Sequence, residues 1–166
     1  MKVKSQISER LSIRHSVRSA KEEYEHWSRQ FVYSRRHLEW IRNILSTIKS
    51  EVIYKWSTSY SEPESWPEIY LHPAKTMRFT AKQCRLEIDG KHYKLPRNEM
   101  ETKDIVYHHG YSFSRGDYLF SRVKEMEATM ERVIAKAEQK LQDAERALAD
   151  QSSSSAVKGS WKTIDL

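Results

Sequence analysis

From Val17 to Val52 the apolar residues recur at alternating spacings of three and four: Val17, Ala20, Tyr24, Trp27, Phe31, Leu38, Ile41, Leu45, Ile48 and Val52, with only Ser34 interrupting the series. That alternation is the signature of a helix with one apolar edge, held in heptad register over five repeats. Nothing inside it breaks a helix, because the first proline is Pro63 and the first glycine is Gly90. At 1.5 Å per residue such a helix is roughly 50 Å long. A rod of that length with one greasy edge has to be covered by another rod.

A second rod is available. Ser114, followed three residues later by Asp117, has the form of a capping box and predicts a helix start there. The stripe that follows runs Leu119, Val123, Met126, Met130, Val133, Ala137, Leu141, Ala144 and Leu148. Its consecutive fours at Val133, Ala137 and Leu141 form a stutter, which locally unwinds a supercoil. The helix is expected to fade near Asp150, where Gln151 to Ser155 supplies poor helix formers. Val32, Tyr33, Trp40 and Ile53 on the first helix, and Phe120 and Ile134 on the second, lie outside these stripes. They add more apolar surface than one two-helix seam hides, which calls either for self-association or a constitutive partner or for cover by the middle segment of the chain.

Between the rods, Cys84 to Ile88 and Lys91 to Leu95 flank Asp89-Gly90, a pair that suits the positive φ angles of a two-residue type I′ turn. The hairpin sets Leu86 opposite Tyr93 and Cys84 opposite Leu95, leaving Arg85, Glu87, His92 and Lys94 on the wet face. Met77 to Ala81 and Ile105 to Tyr107 are the neighbouring strands of one small three- or four-stranded sheet. Ser57 to Pro67 reads as loop.

The fold expected is α+β, mainly α: two long antiparallel coiled-coil-like helices flanking a small antiparallel β-sheet, with a flexible C-terminal tail. Residues 1–57 form the basic N-terminal helix and 58–112 the loop and sheet. Residues 113–150 form the second helix and 151–166 a Ser-rich linker and terminal peptide, the whole making one domain. A length of 166 residues has no room for a second full domain.

The formal charge of +6 is concentrated in residues 1–57, which hold 12 Lys and Arg against 6 Asp and Glu. Arg14, Lys21, Arg35, Arg42 and Lys49 line one edge of the seam at sevenfold spacing, broken by Ser28. Such a row suits a phosphate backbone. It equally suits carboxylates of a partner helix, and Glu131, Glu138 and Glu145 repeat at the same spacing. No helix-turn-helix, zinc-finger or RNP-type pattern accompanies it. Tyr24, Trp27 and Phe31 resemble a stacking platform for bases, but their periodic positions mark them as core.

Metal and catalytic chemistry find little support. His15, His26 and His37 are eleven residues apart, which separates neighbours by some 16 Å along a helix. His108 and His109 are adjacent, and in a strand they would face opposite ways. The glycines are isolated and no P-loop or nucleophile elbow is present, so a catalytic site would have to be assembled from distant residues such as Asp104, His108 and Tyr111. Arg115-Gly116-Asp117 reads as a helix start rather than an adhesive tripeptide. Trp161, Ile164 and Leu166 place three apolar residues beyond the serine run and form a candidate docking tail.

The single Cys84 excludes an internal disulfide, and no apolar run approaches the ~20 residues of a membrane helix, so the expectation is a cytoplasmic chain without cofactor or membrane. The function expected is non-enzymatic protein–protein interaction through the helical seams, with a homo-oligomer or a protein partner. Small regulators or inhibitors and assembly subunits, phage and mobile-element products among them, share this character. The alternative is nucleic-acid binding through the basic row.

Overall fold

The computed structural model describes residues 2–59 and 66–161, with side chains from 19 to 59 and from 66 to 152. Its elements in chain order are α1 (Lys2–Thr47), β1 (Ile53–Ser59), β2 (Glu68–Pro73), β3 (Thr76–Phe79), β4 (Gln83–Ile88), β5 (Lys91–Pro96), α2 (Arg97–Thr102), β6 (Val106–His108), β7 (Tyr111–Arg115) and α3 (Gly116–Trp161). The fold is mixed α+β, with a long helix pair and two antiparallel sheets. The chain divides into two compact units, Met1–Arg36 with Met130–Leu166, and His37–Thr129.

The first unit is helical. The earlier part of α1 groups there with the later part of α3, so the two helices run in opposite directions. Its fully covered side chains, among those described, are Ser34, Met130, Ala137 and Ala144. Three of these are small and all lie on the stripes read from the sequence. Ser34 is 0% exposed, and its hydroxyl has no hydrogen-bond partner. A buried hydroxyl left unpaired costs about 1–3 kcal/mol, so Ser34→Ala is expected to stabilise the chain by about 1 kcal/mol and to raise Tm by about 2–4 °C. A scan by circular dichroism in which Tm fell would show that the hydroxyl is satisfied in solution.

The second unit is built on a four-stranded sheet of order β2-β1-β7-β6 and a three-stranded sheet of order β3-β4-β5. The hairpin β4–β5 carries the expected register, Leu86 opposite Tyr93 and Cys84 opposite Leu95, with Asp89 and Gly90 at φ 51° and 77°. Its inward side chains Cys84, Leu86, Ile88, Tyr93 and Leu95 share one core with Ile53, Val106 and Phe113 of the other sheet and Met100 of α2. The opposite face of the four-stranded sheet buries Tyr54, Trp56 and Ile69. Arg122 of α3 lies 5.0 Å from the Trp56 ring, and the hydroxyl of Tyr54 accepts a 2.8 Å hydrogen bond from the Lys49 amide just past α1. Leu38, Ile41, Leu119 and Val123 supply the buried apolar side chains of the two long helices in this unit.

Burial pushes the Cys84 thiol up to about 11 from its ordinary 9.0. Its charged form is disfavoured in the fold, so this contribution to stability is full below 9.0 and is lost as pH rises towards 11. Cys84 is expected to resist a thiol reagent near neutral pH in the folded chain and to react once urea unfolds it. Rapid labelling without denaturant would contradict that burial.

Several sequence expectations are corrected. The first helix ends at Thr47 rather than continuing to 57, because Tyr54 takes up the last-turn backbone and Ile53 to Ser59 pairs as β1 with two strands. Ile53 is therefore a buried strand residue, and Ser57 to Ser59 are strand rather than loop. Ile105 to Tyr107 does not extend the hairpin sheet: β6, Val106–His108, pairs with β7 in the other sheet. Ser114 does not cap α3. It lies in β7, 0% exposed, and accepts a 2.9 Å hydrogen bond from the Trp56 indole. α3 starts at Gly116, with Asp117 in its first turn. It also continues past Asp150 to Trp161, since serines weaken a helix by a few tenths of a kcal/mol each and do not stop one already propagating.

Candidate functional site

The stripes read from the sequence are the less exposed faces of both long helices. On α1, Tyr24, Trp27, Phe31 and Leu45 are half-buried and Leu38 and Ile41 buried. On α3, Leu119, Val123 and Met130 are buried, and Met126, Val133 and Leu141 half-buried. Ile48 and Val52 have left the helix for the turn before β1, both half-buried. Val17 lies on α1, and its side chain is outside the described ones. Val32, Tyr33 and Phe120 are exposed, at 46%, 56% and 39%.

The basic row is not continuous. Lys21 and Arg35 are exposed on α1, with Arg35 5.6 Å from the Phe31 ring. Arg42 pairs with Glu127 of α3 at 3.4 Å, the carboxylate of a facing helix. Lys49 stands beyond the helix end. The side chains of Arg14 and Trp161 fall outside the described ones, and Ile164 and Leu166 lie outside the described residues altogether.

A different constellation appears where the two sheets part. Antiparallel register sets His72 opposite Lys55 and Tyr70 opposite Ser57 on β2 and β1. It sets Phe113 opposite Lys55 and Tyr111 opposite His108 on the other side. The Lys55 ammonium lies 4.5 Å from the Tyr111 ring centroid and 5.5 Å from that of Tyr93, and donates a 3.3 Å hydrogen bond to the Tyr93 hydroxyl. His109, at φ 52° in the β6–β7 turn, has its ring 6.5 Å from Tyr93 and 4.1 Å from His108. His72 is paired with Asp89 at 2.8 Å. Tyr70 donates to Glu68 at 2.5 Å, and that bond raises its ionisation above the ordinary phenol value. His37 on α1 is shifted the other way: burial lowers it, with Glu68 partly opposing.

Of the three residues named for an assembled catalytic site, the sheet sets His108 opposite Tyr111 in register and places Asp104 elsewhere. Asp104 accepts from Arg115 at 3.3 Å. Arg115 also donates to the carbonyls of Met100 and Lys103 and pairs with Asp117 at 3.3 Å, so the Arg115-Gly116-Asp117 tripeptide is spent on the strand-to-helix junction. An open cleft of about 590 Å³ lies beside this junction, over Val52, Ile53 and Met100, and is walled by Phe79, Arg97 and Arg115. Both arginines are occupied: Arg97 binds Glu101 at 2.7 Å and the Thr80 carbonyl at 3.0 Å. Among the described residues no three His, Cys, Asp or Glu side chains converge as metal ligands, and no helix is long and apolar enough to cross a membrane.

No protein-family model, curated protein or solved structure matches this chain.

Proposed function

We propose that the protein is a non-enzymatic interaction module that associates through its helical unit in a coiled-coil-like manner, with a second copy or with a helical partner, as a small regulator or an assembly subunit. One observation carries this reading. In that unit the fully covered side chains are Ser34, Met130, Ala137 and Ala144, whereas the large ones other than Met130, namely Tyr24, Trp27, Phe31, Val133, Ile134, Leu141 and Leu148, are only half-covered. Two helices form a ribbon that hides a narrow strip, and further helices are what cover the flanks. Buried alanines at sevenfold spacing suit a close approach within the pair, which leaves the bulky flanks for a partner. The pairing of Arg42 with Glu127 favours carboxylates over phosphates as the natural company of the basic row.

Sedimentation velocity of the full chain at tens of micromolar is expected to show a species heavier than the 19.8 kDa protomer. Trp27→Ser is expected to weaken that association at least tenfold with helical ellipticity retained, the loss of one large interfacial aromatic being worth more than 1.4 kcal/mol. A strict monomer that captures no partner in a pull-down would overturn the reading.

A further inference from the structure

The four-stranded sheet changes character within one step of its register. One row across the strands is His72, Lys55, Phe113 and Val106, in which Phe113 and Val106 are sealed in the core. Continuing the β1–β7 register by one residue on the same face gives the next row, Tyr70, Ser57, Tyr111 and His108. There the three-stranded sheet reaches the row only at Tyr111, through the Tyr93 ring 6.2 Å away. Tyr70 and Tyr111 are each 44% exposed, Ser57 is exposed and His108 half-buried. At ~4.8 Å between strands the row is about 14 Å long, an open ledge of three ring side chains with one small residue between the tyrosines. Behind it stands Lys55. Half-buried, it has no carboxylate within ion-pair distance among the described residues; its neighbours are the Tyr111 ring and the ring and hydroxyl of Tyr93. Of the nearby acids, Asp89 lies against His72 and Glu68 accepts a hydrogen bond from the Tyr70 phenol.

We propose that this ledge binds single-stranded nucleic acid, with bases stacking on Tyr70 and Tyr111 and a backbone phosphate meeting Lys55, flanked by His108 and His109. Charge complementarity selects the occupant: a partly desolvated cation without a counter-ion is matched by an oxyanion, and exposed tyrosine faces on a sheet are matched by planar bases. The shape selects a strand over a mononucleotide, because the surface is an open row rather than the concave enclosure in which small ligands are held. The proposal uses none of the residues of the basic row or of the helical association surface, so either proposal stands without the other.

The test is fluorescence anisotropy of a labelled oligothymidylate of about 12 nucleotides with the full chain, read at about 50 and 200 mM salt. Binding is expected that weakens with salt, falls about tenfold or more in Tyr111→Ala and in Lys55→Met, and is unchanged in Tyr107→Ser, whose side chain lies on the other face of β6 and is 74% exposed. Circular dichroism of each variant separates lost binding from lost folding, and Tyr70→Ala gives a second surface variant if Lys55→Met unfolds. Absence of binding at the lower salt overturns the proposal. So does binding that survives Tyr111→Ala and Tyr70→Ala, binding abolished by Arg35→Glu instead, or competition by adenosine monophosphate at the same concentration as the oligonucleotide.

Discussion

Gly116→Ala is expected to destabilise the protein by about 3 kcal/mol or more, lowering Tm by roughly 6–12 °C or preventing folding. The chain turns there from β7 into α3, and the Gly116 amide donates to the Val52 carbonyl at 2.8 Å. A Cβ added at this position would stand 1.8 Å from the Lys49 carbonyl oxygen and 2.7 Å from its carbon. Both are backbone atoms in the turn that links α1 to β1, so no side chain can swing aside. Relief requires moving the end of α1 and the start of α3 apart, with loss of the hydrogen bond that joins them. Urea and thermal unfolding of the variant measure the effect. A Tm within about 2 °C of the parent would show that the junction is looser than described. Gly90, with open space around it, is the contrasting site: its cost on substitution is the positive φ of 77° alone.

Phe113→Ala is expected to cost about 3–5 kcal/mol. Phe113 is 0% exposed and sits where the two sheets meet, with its ring 5.3 Å from that of Tyr93. Removing it opens a cavity between layers whose backbones are tied by ladders on both sides, so the walls cannot collapse inward. A second consequence follows from position. Tyr93 carries the hydroxyl that receives the Lys55 ammonium, so the variant is expected to disturb the Lys55 and Tyr111 resonances as well as the melting temperature. Phe113→Leu, which keeps most of the volume, is expected to restore more than half of the loss. Equal losses for the two variants would argue against a packing origin.

The helices and one hairpin were legible because their information is local. An alternation of three and four, and an Asp-Gly turn between alternating strands, each determine a backbone conformation within a few residues. The second hairpin was not legible, although His109 and Gly110 adopt φ 52° and 78°, close to those of Asp89 and Gly90. Histidine does not announce a turn as aspartate does. β1 was hidden by its own neighbours: Val52 completes the heptad series, and Ile53, Tyr54 and Trp56 are as apolar as a helix seam requires. Ser114 shows the opposite failure, a sound capping pattern overruled because its hydroxyl is the partner of the Trp56 indole.

By itself, then, the order of residues determined two long helices with one apolar edge each, a hairpin with one dry and one wet face, and a cationic first third. Each follows from periodicity or from the conformational freedom of single residues. Only the tertiary structure decided that the sheets are two and where the first helix stops. It alone set Tyr70, Ser57, Tyr111 and His108 in one row, because strand order β2-β1-β7-β6 joins residues as far apart in the chain as Ile53 and Arg115 through hydrogen bonds that no local pattern encodes.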